Sequence, residues 1–364
     1  MRAETFFKKQ ALIIILSIII TASISPARAE ERFVLGYYPA GVKDRLPAEN
    51  LNFTILTHIC HAFIMPDADG SIFYRENFLY PELVEAVHKA GRKILVSVGG
   101  GGGGKAVESF APVAADRKLR ARFIKNLIEF CGRHGYDGID FDWEYPRDSV
   151  QRADHATLVT ELRQATNKLG RPFLITMANS ANLDSDKIFD YEKLKNQLDW
   201  FNVMTYDFHG HWSSRAGHNA PLYSIESGSD HTGIQYLMKD IGIPPEKLLL
   251  GLPFYGFLLN AAHINGPSDG GRYIGYNETI LKFAGGGWNY HWDTVSLVPY
   301  MTDDQGTQLI TFDNPKSIAL KCDYARVSKL RGVMIWALGY DLLEDKQPLL
   351  ETVGRKTWDT DTNR

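Results

Sequence analysis

The amino-acid sequence predicts an α/β fold in which eight alternating strand and helix units, (β/α)8, close into a barrel. Short apolar runs rich in β-branched residues recur from residue 32 onward, and stretches with helical periodicity lie between most of them. The length of 364 residues suits one barrel of roughly 250 residues with insertions, or two ordinary domains. Such alternation is typical of a parallel sheet, and eight units form a TIM barrel.

The predicted elements follow one another in chain order. The eight predicted strands span residues 32–38, 58–64, 93–99, 138–143, 173–178, 200–206, 248–254 and 332–337. The clearest predicted helices span residues 81–90, 116–134, 153–169, 233–241 and 316–330. Most strands are therefore followed by a helix, which is the usual connection between parallel neighbours.

A small α+β insertion is expected between strand 7 and helix 7, at about residues 257–311. This stretch is far longer than one helix requires, and it is rich in glycine and aromatic residues. Loops that follow barrel strands surround the active face, so the insertion is expected to wall one side of a cleft. A linker and a second domain are the alternative, which the return of an eighth strand disfavours.

The N-terminal segment predicts export rather than fold. Two lysines precede an apolar run at residues 11–20, and Ala27 and Ala29 form a small-residue A-x-A site. This pattern predicts a secretory signal peptide at residues 1–29, with cleavage after Ala29 and a secreted or periplasmic product. The apolar run is about half the ~20 residues that a membrane span needs, and an uncleaved anchor is the alternative.

Charge and cysteine content exclude several classes of partner. The formal net charge of −3 argues against nucleic acid or an anionic membrane as the main partner. The spacing of Cys60, Cys131 and Cys322 fits neither a disulfide framework nor a metal site. Buried free thiols are therefore expected, with one incidental bridge as the alternative. The protein is expected to be a monomer.

One strand carries the strongest chemical signal. Successive strand side chains point to opposite faces, so Asp140, Asp142 and Glu144 share one face inside the barrel. Three neighbouring buried carboxyls are costly to keep ionised, and their mutual repulsion raises at least one pKa. The row therefore predicts a carboxyl that stays protonated near neutral pH and acts as an acid.

Each carboxyl has an expected place in that row. Glu144 lies at the carboxyl end of the strand, where barrel active sites form, and is the expected acid. Asp142 is expected to share its proton, and the deeper Asp140 to pair with Asp142. Asp137 is out of phase and is expected to be structural. A Mg²⁺ site is the alternative, but consecutive strand positions suit a proton relay better, so no metal or other cofactor is predicted.

The segment DGIDFDWEYP at residues 137–146 resembles the D-x-x-D-x-D-x-E signature of glycoside hydrolase family 18, the chitinases. Five further segments resemble the family's other strand motifs in the same order. They are GYYP at 36–39, KILVSVGG at 93–100, MTYDFHG at 204–210, GLPFYG at 251–256 and GVMIWA at 332–337. The resemblance implies one catalytic barrel over residues 30–364 that includes the insertion.

The resemblance also implies a reaction, the hydrolysis of β-1,4-linked N-acetylglucosamine with retention by a substrate-assisted mechanism. Glu144 would be the general acid and base, and Asp142, backed by Asp140, would stabilise the cationic intermediate. Tyr206 would orient the reacting acetamido group. Expected partners are chitin or N-acetylglucosamine oligosaccharides. Expected substrate contacts are Tyr37, Phe63, Tyr145, Met204, Asp207, Trp212, Tyr255 and Trp336.

The chain departs from the family pattern at two positions. Gly101 stands where many members carry an aromatic residue, and Phe257 stands where arginine is frequent. Together with a short insertion, these changes predict a more open cleft with a weaker grip on long chains. Ser97, Gly99 and Gly100 are expected to be structural, because small residues let neighbouring strands approach the carboxylate row.

Two other functions remain open at this stage. An endo-β-N-acetylglucosaminidase that acts on the chitobiose core of N-glycans would use the same carboxylates. A chitin-binding lectin without catalysis is a further alternative, and such relatives typically lose the terminal acid, whereas Glu144 is present here.

Overall fold

Eight parallel strands close into a barrel in the computed structural model of the chain. The structure describes residues 33–101, 105–181, 183, 187–225 and 228–358, so the predicted signal peptide lies outside it. The strands of the described residues are β1 (Phe33–Pro39), β2 (His58–Pro66), β3 (Ile72–Phe73), β4 (Lys93–Gly99), β5 (Gly138–Asp142), β6 (Leu174–Ser180), β7 (Trp200–Met204), β8 (Leu248–Pro253), β9 (Tyr255–Leu259), β10 (Gly271–Gly275), β11 (Trp288–Asp293), β12 (Val298–Asp303), β13 (Leu309–Thr311) and β14 (Gly332–Trp336).

The barrel consists of β1, β2, β4, β5, β6, β7, β8 and β14. Their order is β1-β14-β8-β7-β6-β5-β4-β2, and pairing between β1 and β2 closes the ring. All pairings in the ring are parallel. The predicted (β/α)8 fold and the eight predicted strands are therefore confirmed.

Helices cover the outside of the barrel. Those of the described residues are α1 (Pro81–Lys89), α2 (Lys105–Ala115), α3 (Arg117–His134), α4 (Ser149–Thr166), α5 (Tyr191–Leu194), α6 (Asp230–Gln235), α7 (Tyr276–Ala284), α8 (Pro315–Val327) and α9 (Pro348–Trp358). The helix predicted at 233–241 is shorter than expected, because α6 gives way to a π-helical turn over Tyr236–Asp240. The prediction missed α2, which follows a glycine run and contains Pro112.

The sequences of the barrel strands are continuous apolar runs because both faces of each strand are buried. One face packs under the helices in a large outer core that includes Ile139 and Phe141. The other face fills the barrel interior, where Leu35, Leu95 and Met334 form a separate cluster. Asp140 lies inside the barrel and has no exposed surface.

The chain between β8 and α8 forms a second sheet. Strands β9 to β13 pair antiparallel in the order β10-β9-β13-β12-β11, and α7 lies between β10 and β11. This sheet begins at Tyr255, two residues before the predicted start of the insertion. Backbone hydrogen bonds tie it to the barrel, since Tyr276 donates to Phe254 and Asn277 donates to Tyr340.

Several smaller expectations also have structural outcomes. Cys60, Cys131 and Cys322 are buried free thiols, as predicted. Asp137 accepts hydrogen bonds from Lys93, His88 and the backbone N–H of Ile94, which is the structural role expected for it. Within the described ranges, no helix combines the length and apolar character needed to cross a membrane.

A buried ionic cluster fastens the loop between β7 and α6, which borders the cleft described below. Lys321 of α8 has no exposed surface, and its Nζ lies 2.8 Å from Asp313 Oδ2 and 3.4 Å from Asp230 Oδ2. The same ammonium group donates to the carbonyl of Ala220 in that loop, at 2.6 Å. Removing one partner of such a cluster leaves buried charge without compensation.

We therefore expect Lys321→Met to lower the free energy of unfolding by about 3–5 kcal/mol. The exposed Lys125 of α3 provides a matched control, and Lys125→Met should change this free energy by no more than about 0.5 kcal/mol. Urea denaturation followed by circular dichroism measures both variants. Equal stability of the two variants would contradict the role assigned to the cluster.

Candidate active site

Strand β5 places three carboxyls at successively shallower depths. Asp140 is fully buried, Asp142 is 4% exposed, and Glu144 lies just beyond the end of the strand and is half-buried. Close packing against β4 sets this end, since a Cβ on Gly99 would lie 2.2 Å from the carbonyl oxygen of Asp142. The backbone N–H of Gly100 donates to that same oxygen at 2.8 Å. These contacts agree with the structural role expected of both glycines.

Asp140 does not pair with Asp142, so that expectation is wrong. Its Oδ2 accepts from the hydroxyls of Tyr37 at 2.7 Å and Ser97 at 2.8 Å. Its Oδ1 accepts from Thr176 Oγ1 at 2.7 Å and Asn202 Nδ2 at 2.9 Å. Burial raises the pKa of Asp140, and the hydrogen bonds oppose that rise. Ser97 is therefore a hydrogen-bond donor to the carboxylate row and not only a small spacer.

Asp142 and Glu144 form the proton-sharing pair. Burial, followed by the charges of Glu144 and Asp140, raises the pKa of Asp142 well above its usual value. Burial and the charge of Asp207 raise the pKa of Glu144 to about 7. The two carboxyl side chains lie within hydrogen-bonding reach of each other. Because both charged forms are disfavoured, the pair retains a proton near neutral pH.

A cleft of about 370 Å³ opens above this pair at the carboxyl ends of the barrel strands. It contains Asp142, Glu144 and Tyr206, whereas Asp140 lies beneath it. Every predicted substrate contact also lines the cleft. These residues are Tyr37, Phe63, Tyr145, Met204, Asp207, Trp212, Tyr255 and Trp336.

Aromatic side chains form the floor of the cleft. The half-buried ring of Trp336 stacks near Phe63, with centroids 5.6 Å apart and an interplanar angle of 24°. Tyr37 meets Trp336 edge-on at 5.5 Å, while its hydroxyl binds Asp140 below. Broad apolar faces of this kind match the apolar faces of a sugar ring.

Polar groups from the loop after β7 and from the start of the insertion lie beside the carboxyl pair in the cleft. The Tyr255 hydroxyl donates to Asp207 Oδ1 at 2.5 Å, and Asn219 Oδ1 accepts from the backbone N–H of Asp207. Asp207 has a left-handed backbone, with φ of 60°. Among the described residues the Tyr206 hydroxyl has only a weak contact, 3.8 Å from Met334 Sδ, so it can bind a ligand without losing a strong bond.

Some of the residues that line the cleft, and some of the donors that bind Asp140, were not predicted from the sequence. Phe208, Tyr273 and the backbone of Gly101 also line the cleft, and Phe257 lies there in contact with Trp212. A Cβ on Gly101 would lie 3.1 Å from both carboxyl oxygens of Glu144. Because glycine replaces the aromatic residue that many family members carry here, position 101 provides no side chain to cover Glu144.

A signal for the supporting donors exists in the sequence. Thr176 and Asn202 are polar residues inside otherwise apolar strand runs, and Thr176 is in register with Asp140. His211, which belongs to the loop after β7, also lines the cleft. In the part of the chain that the structure describes, no set of three His, Cys, Asp or Glu residues is arranged to hold a metal ion.

Comparison with known proteins defines the class. Residues 34–341 match the sequence model of Glycosyl hydrolases family 18, so the chain belongs to that family of glycoside hydrolases. Over 333 residues the chain is 31% identical to probable chitinase 2 of Drosophila melanogaster, covering 80% of this chain and 68% of the relative.

Solved structures share the fold. The Group IV chitinase of Ostrinia furnacalis is 30% identical with a TM-score of 0.80, covering 90% of this chain and 99% of that one. A GH18 chitinase from Cycas revoluta, solved in complex with (GlcNAc)3, is 27% identical with a TM-score of 0.79, covering 89% and 99%.

Glu144 is expected to titrate near pH 7 rather than at its ordinary value of about 4.3. ¹³C NMR of side-chain carboxyls in labelled glutamate measures this midpoint, and the Glu144→Gln variant assigns the signal. Asp207→Asn removes a negative charge, so the midpoint should fall. A midpoint between about 4 and 5 in the unmodified chain would contradict the environment described here.

Proposed function

We propose that the chain is a chitinase that hydrolyses β-1,4-linked N-acetylglucosamine by a retaining, substrate-assisted mechanism, with Glu144 as general acid and base. The observation that carries this proposal is the adjacent pair of Asp142 and Glu144 in a cleft lined by aromatic side chains. The names of the relatives support the substrate class, as does the (GlcNAc)3 complex of the Cycas revoluta protein.

The first step breaks the glycosidic bond. Glu144 donates its proton to the glycosidic oxygen while the bond from that oxygen to C1 breaks. The carbonyl oxygen of the sugar's own 2-acetamido group forms a new bond to C1 from the opposite face. The leaving chain departs with the proton, and a cyclic oxazolinium ion remains bound. No carboxylate of the protein has to attack the sugar.

Asp142 and Asp140 supply the charge that this cation needs. When Glu144 has given up its proton, Asp142 lies next to the acetamido nitrogen and stabilises the developing positive charge. Asp140, with its hydrogen-bonding capacity taken up by Tyr37, Ser97, Thr176 and Asn202, stays in place below as a fixed negative charge. The hydroxyl of Tyr206 donates to the acetamido carbonyl and aligns it for attack.

The second step releases the product. Glu144, now ionised, takes a proton from a water molecule, and the resulting hydroxide attacks C1 and opens the oxazolinium ring. Two displacements at C1 leave its configuration unchanged. The accessible position of Glu144, half-buried at the base of the cleft, allows both the leaving oxygen and the water to reach it.

We further propose that the enzyme is exported. The support is the predicted signal peptide at residues 1–29 with its A-x-A site. An extracellular or periplasmic location brings a glycoside hydrolase into contact with polymeric substrates. N-terminal sequencing of protein recovered outside the cytoplasm tests this, and a mature chain that begins at Glu30 is the expected result.

Replacing Glu144 by Gln should lower kcat on a chromogenic chitooligosaccharide by about 10²–10⁴-fold, because an amide cannot donate the required proton. Binding of N-acetylglucosamine oligomers, measured by calorimetry, should persist. The exposed Glu82 gives the matched control Glu82→Gln, which should retain full activity. A fully active Glu144→Gln variant would refute the acid assignment.

A fully deacetylated oligosaccharide should resist hydrolysis, whereas the acetylated oligomer of equal length should be cut. The free amine lacks the carbonyl oxygen that forms the bond to C1. Chromatography of the products from both oligomers measures the difference. Efficient cleavage of the deacetylated oligomer would exclude the substrate-assisted mechanism but not hydrolysis itself.

A further inference from the structure

Tyr273 connects the insertion to the reacting side of the cleft. It lies on β10, where it pairs in register with Phe257 of β9. Its ring stacks on that of Tyr255, with centroids 4.4 Å apart and an interplanar angle of 16°. This is the diagonal neighbour across an antiparallel pair, which long aromatic side chains can reach.

Tyr255 is the residue through which this contact bears on the chemistry. Its ring is 2% exposed, and Tyr206 and Phe257 meet it edge-on at 5.8 Å each. Tyr273 provides the parallel contact. The hydroxyl of Tyr255 donates to Asp207, whose charge raises the pKa of Glu144. The Tyr255 hydroxyl therefore links its ring directly to the Asp207 carboxylate.

Tyr273 is itself held by the barrel. Its ring meets that of Tyr340 edge-on at 5.7 Å, and Tyr340 belongs to the loop after β14. The carbonyl of Tyr340 accepts from the backbone N–H of Asn277 at the start of α7 at 2.9 Å. The guanidinium of Arg45 lies 5.8 Å from the Tyr340 ring. Tyr273 thus fills the space between a fixed barrel loop and the ring of Tyr255.

We propose that Tyr273 is a positioning residue for the reaction: its ring holds Tyr255 so that the Tyr255 hydroxyl stays on Asp207. This inference rests on the proposed function, since it assigns the insertion a part in placing Asp207, an expected substrate contact. This positioning role is distinct from the role of forming one wall of the cleft. Tyr273 acts through Tyr255, because the stack and the hydrogen bond form one continuous chain of contacts to Asp207.

Direct contact with the substrate is the competing explanation, because Tyr273 also lines the cleft and is 36% exposed. A double-mutant cycle separates the two explanations. Residues that act as one unit have non-additive effects, whereas an independent substrate contact adds its own loss. The cycle uses Tyr255→Phe, which removes the hydroxyl, and Tyr273→Met, which removes the ring but keeps similar bulk.

The expected kinetic result is a loss of rate without a loss of substrate affinity. Tyr273→Met should lower kcat by about three- to tenfold, the factor that an offset aromatic pair contributes, with KM changed by less than about twofold. The double variant should be no slower than Tyr255→Phe alone. Tyr273→Phe keeps the stacked ring and should restore most of the kcat that Tyr273→Met loses.

A titration gives a readout that does not depend on turnover. Burial raises the pKa of Asp207, and the hydrogen bond from Tyr255 opposes that rise. Tyr273→Met and Tyr255→Phe should therefore both raise the Asp207 midpoint, measured by ¹³C NMR of labelled aspartate carboxyls. Absence of chitinase activity in the unmodified chain would refute the proposed function, while this titration would still decide the inference about Tyr273.

Three results would overturn the inference. One is an unchanged Asp207 midpoint in both Tyr273→Met and Tyr273→Leu. Another is a double variant whose kcat loss equals the product of the two single losses. The third is a rise in KM with kcat unchanged, which would make Tyr273 a substrate contact.

Discussion

The proposed chemistry depends on two carboxyls, Asp142 and Glu144, that are partly shielded from solvent and are placed to share a proton. Asp142 is the last residue of β5 and Glu144 follows just beyond it, and burial disfavours the charges of both. Removing water strengthens every electrostatic interaction there and makes double ionisation costly. The barrel has no stability reason to keep such a pair, so its cost is the strongest evidence for a catalytic role.

Asp140 and Asp142 lie on the same strand but have different hydrogen-bond partners. Its oxygens accept hydrogen bonds from donors on β1, β4, β6 and β7, so four barrel strands converge on one side chain. Asp142 has an oxygen without such a donor and faces Glu144 instead. The barrel thus holds one carboxyl as a fixed charge and leaves the next one able to exchange a proton.

The sequence was sufficient for the barrel and for the predicted substrate contacts, all of which line the cleft. Eight apolar runs and the alternation of side chains along β5 are local patterns, and local patterns determine which segments form strands and which face each side chain occupies. The partners of Asp140 were only partly predictable. Thr176 and Asn202 stand out as polar residues in apolar strand runs, but they reach Asp140 through strand register, which local periodicity does not determine. Tyr273 was not predicted for a similar reason, because its contact with Tyr255 depends on how β10 pairs with β9.

Neutron diffraction from deuterated crystals near pH 7 would test this account most directly, because it locates the proton itself. We expect a deuteron between Asp142 and Glu144 and none on Asp140, whose four neighbours would be seen donating to it. A deuteron on Asp140, or a fully ionised Asp142 and Glu144, would contradict it.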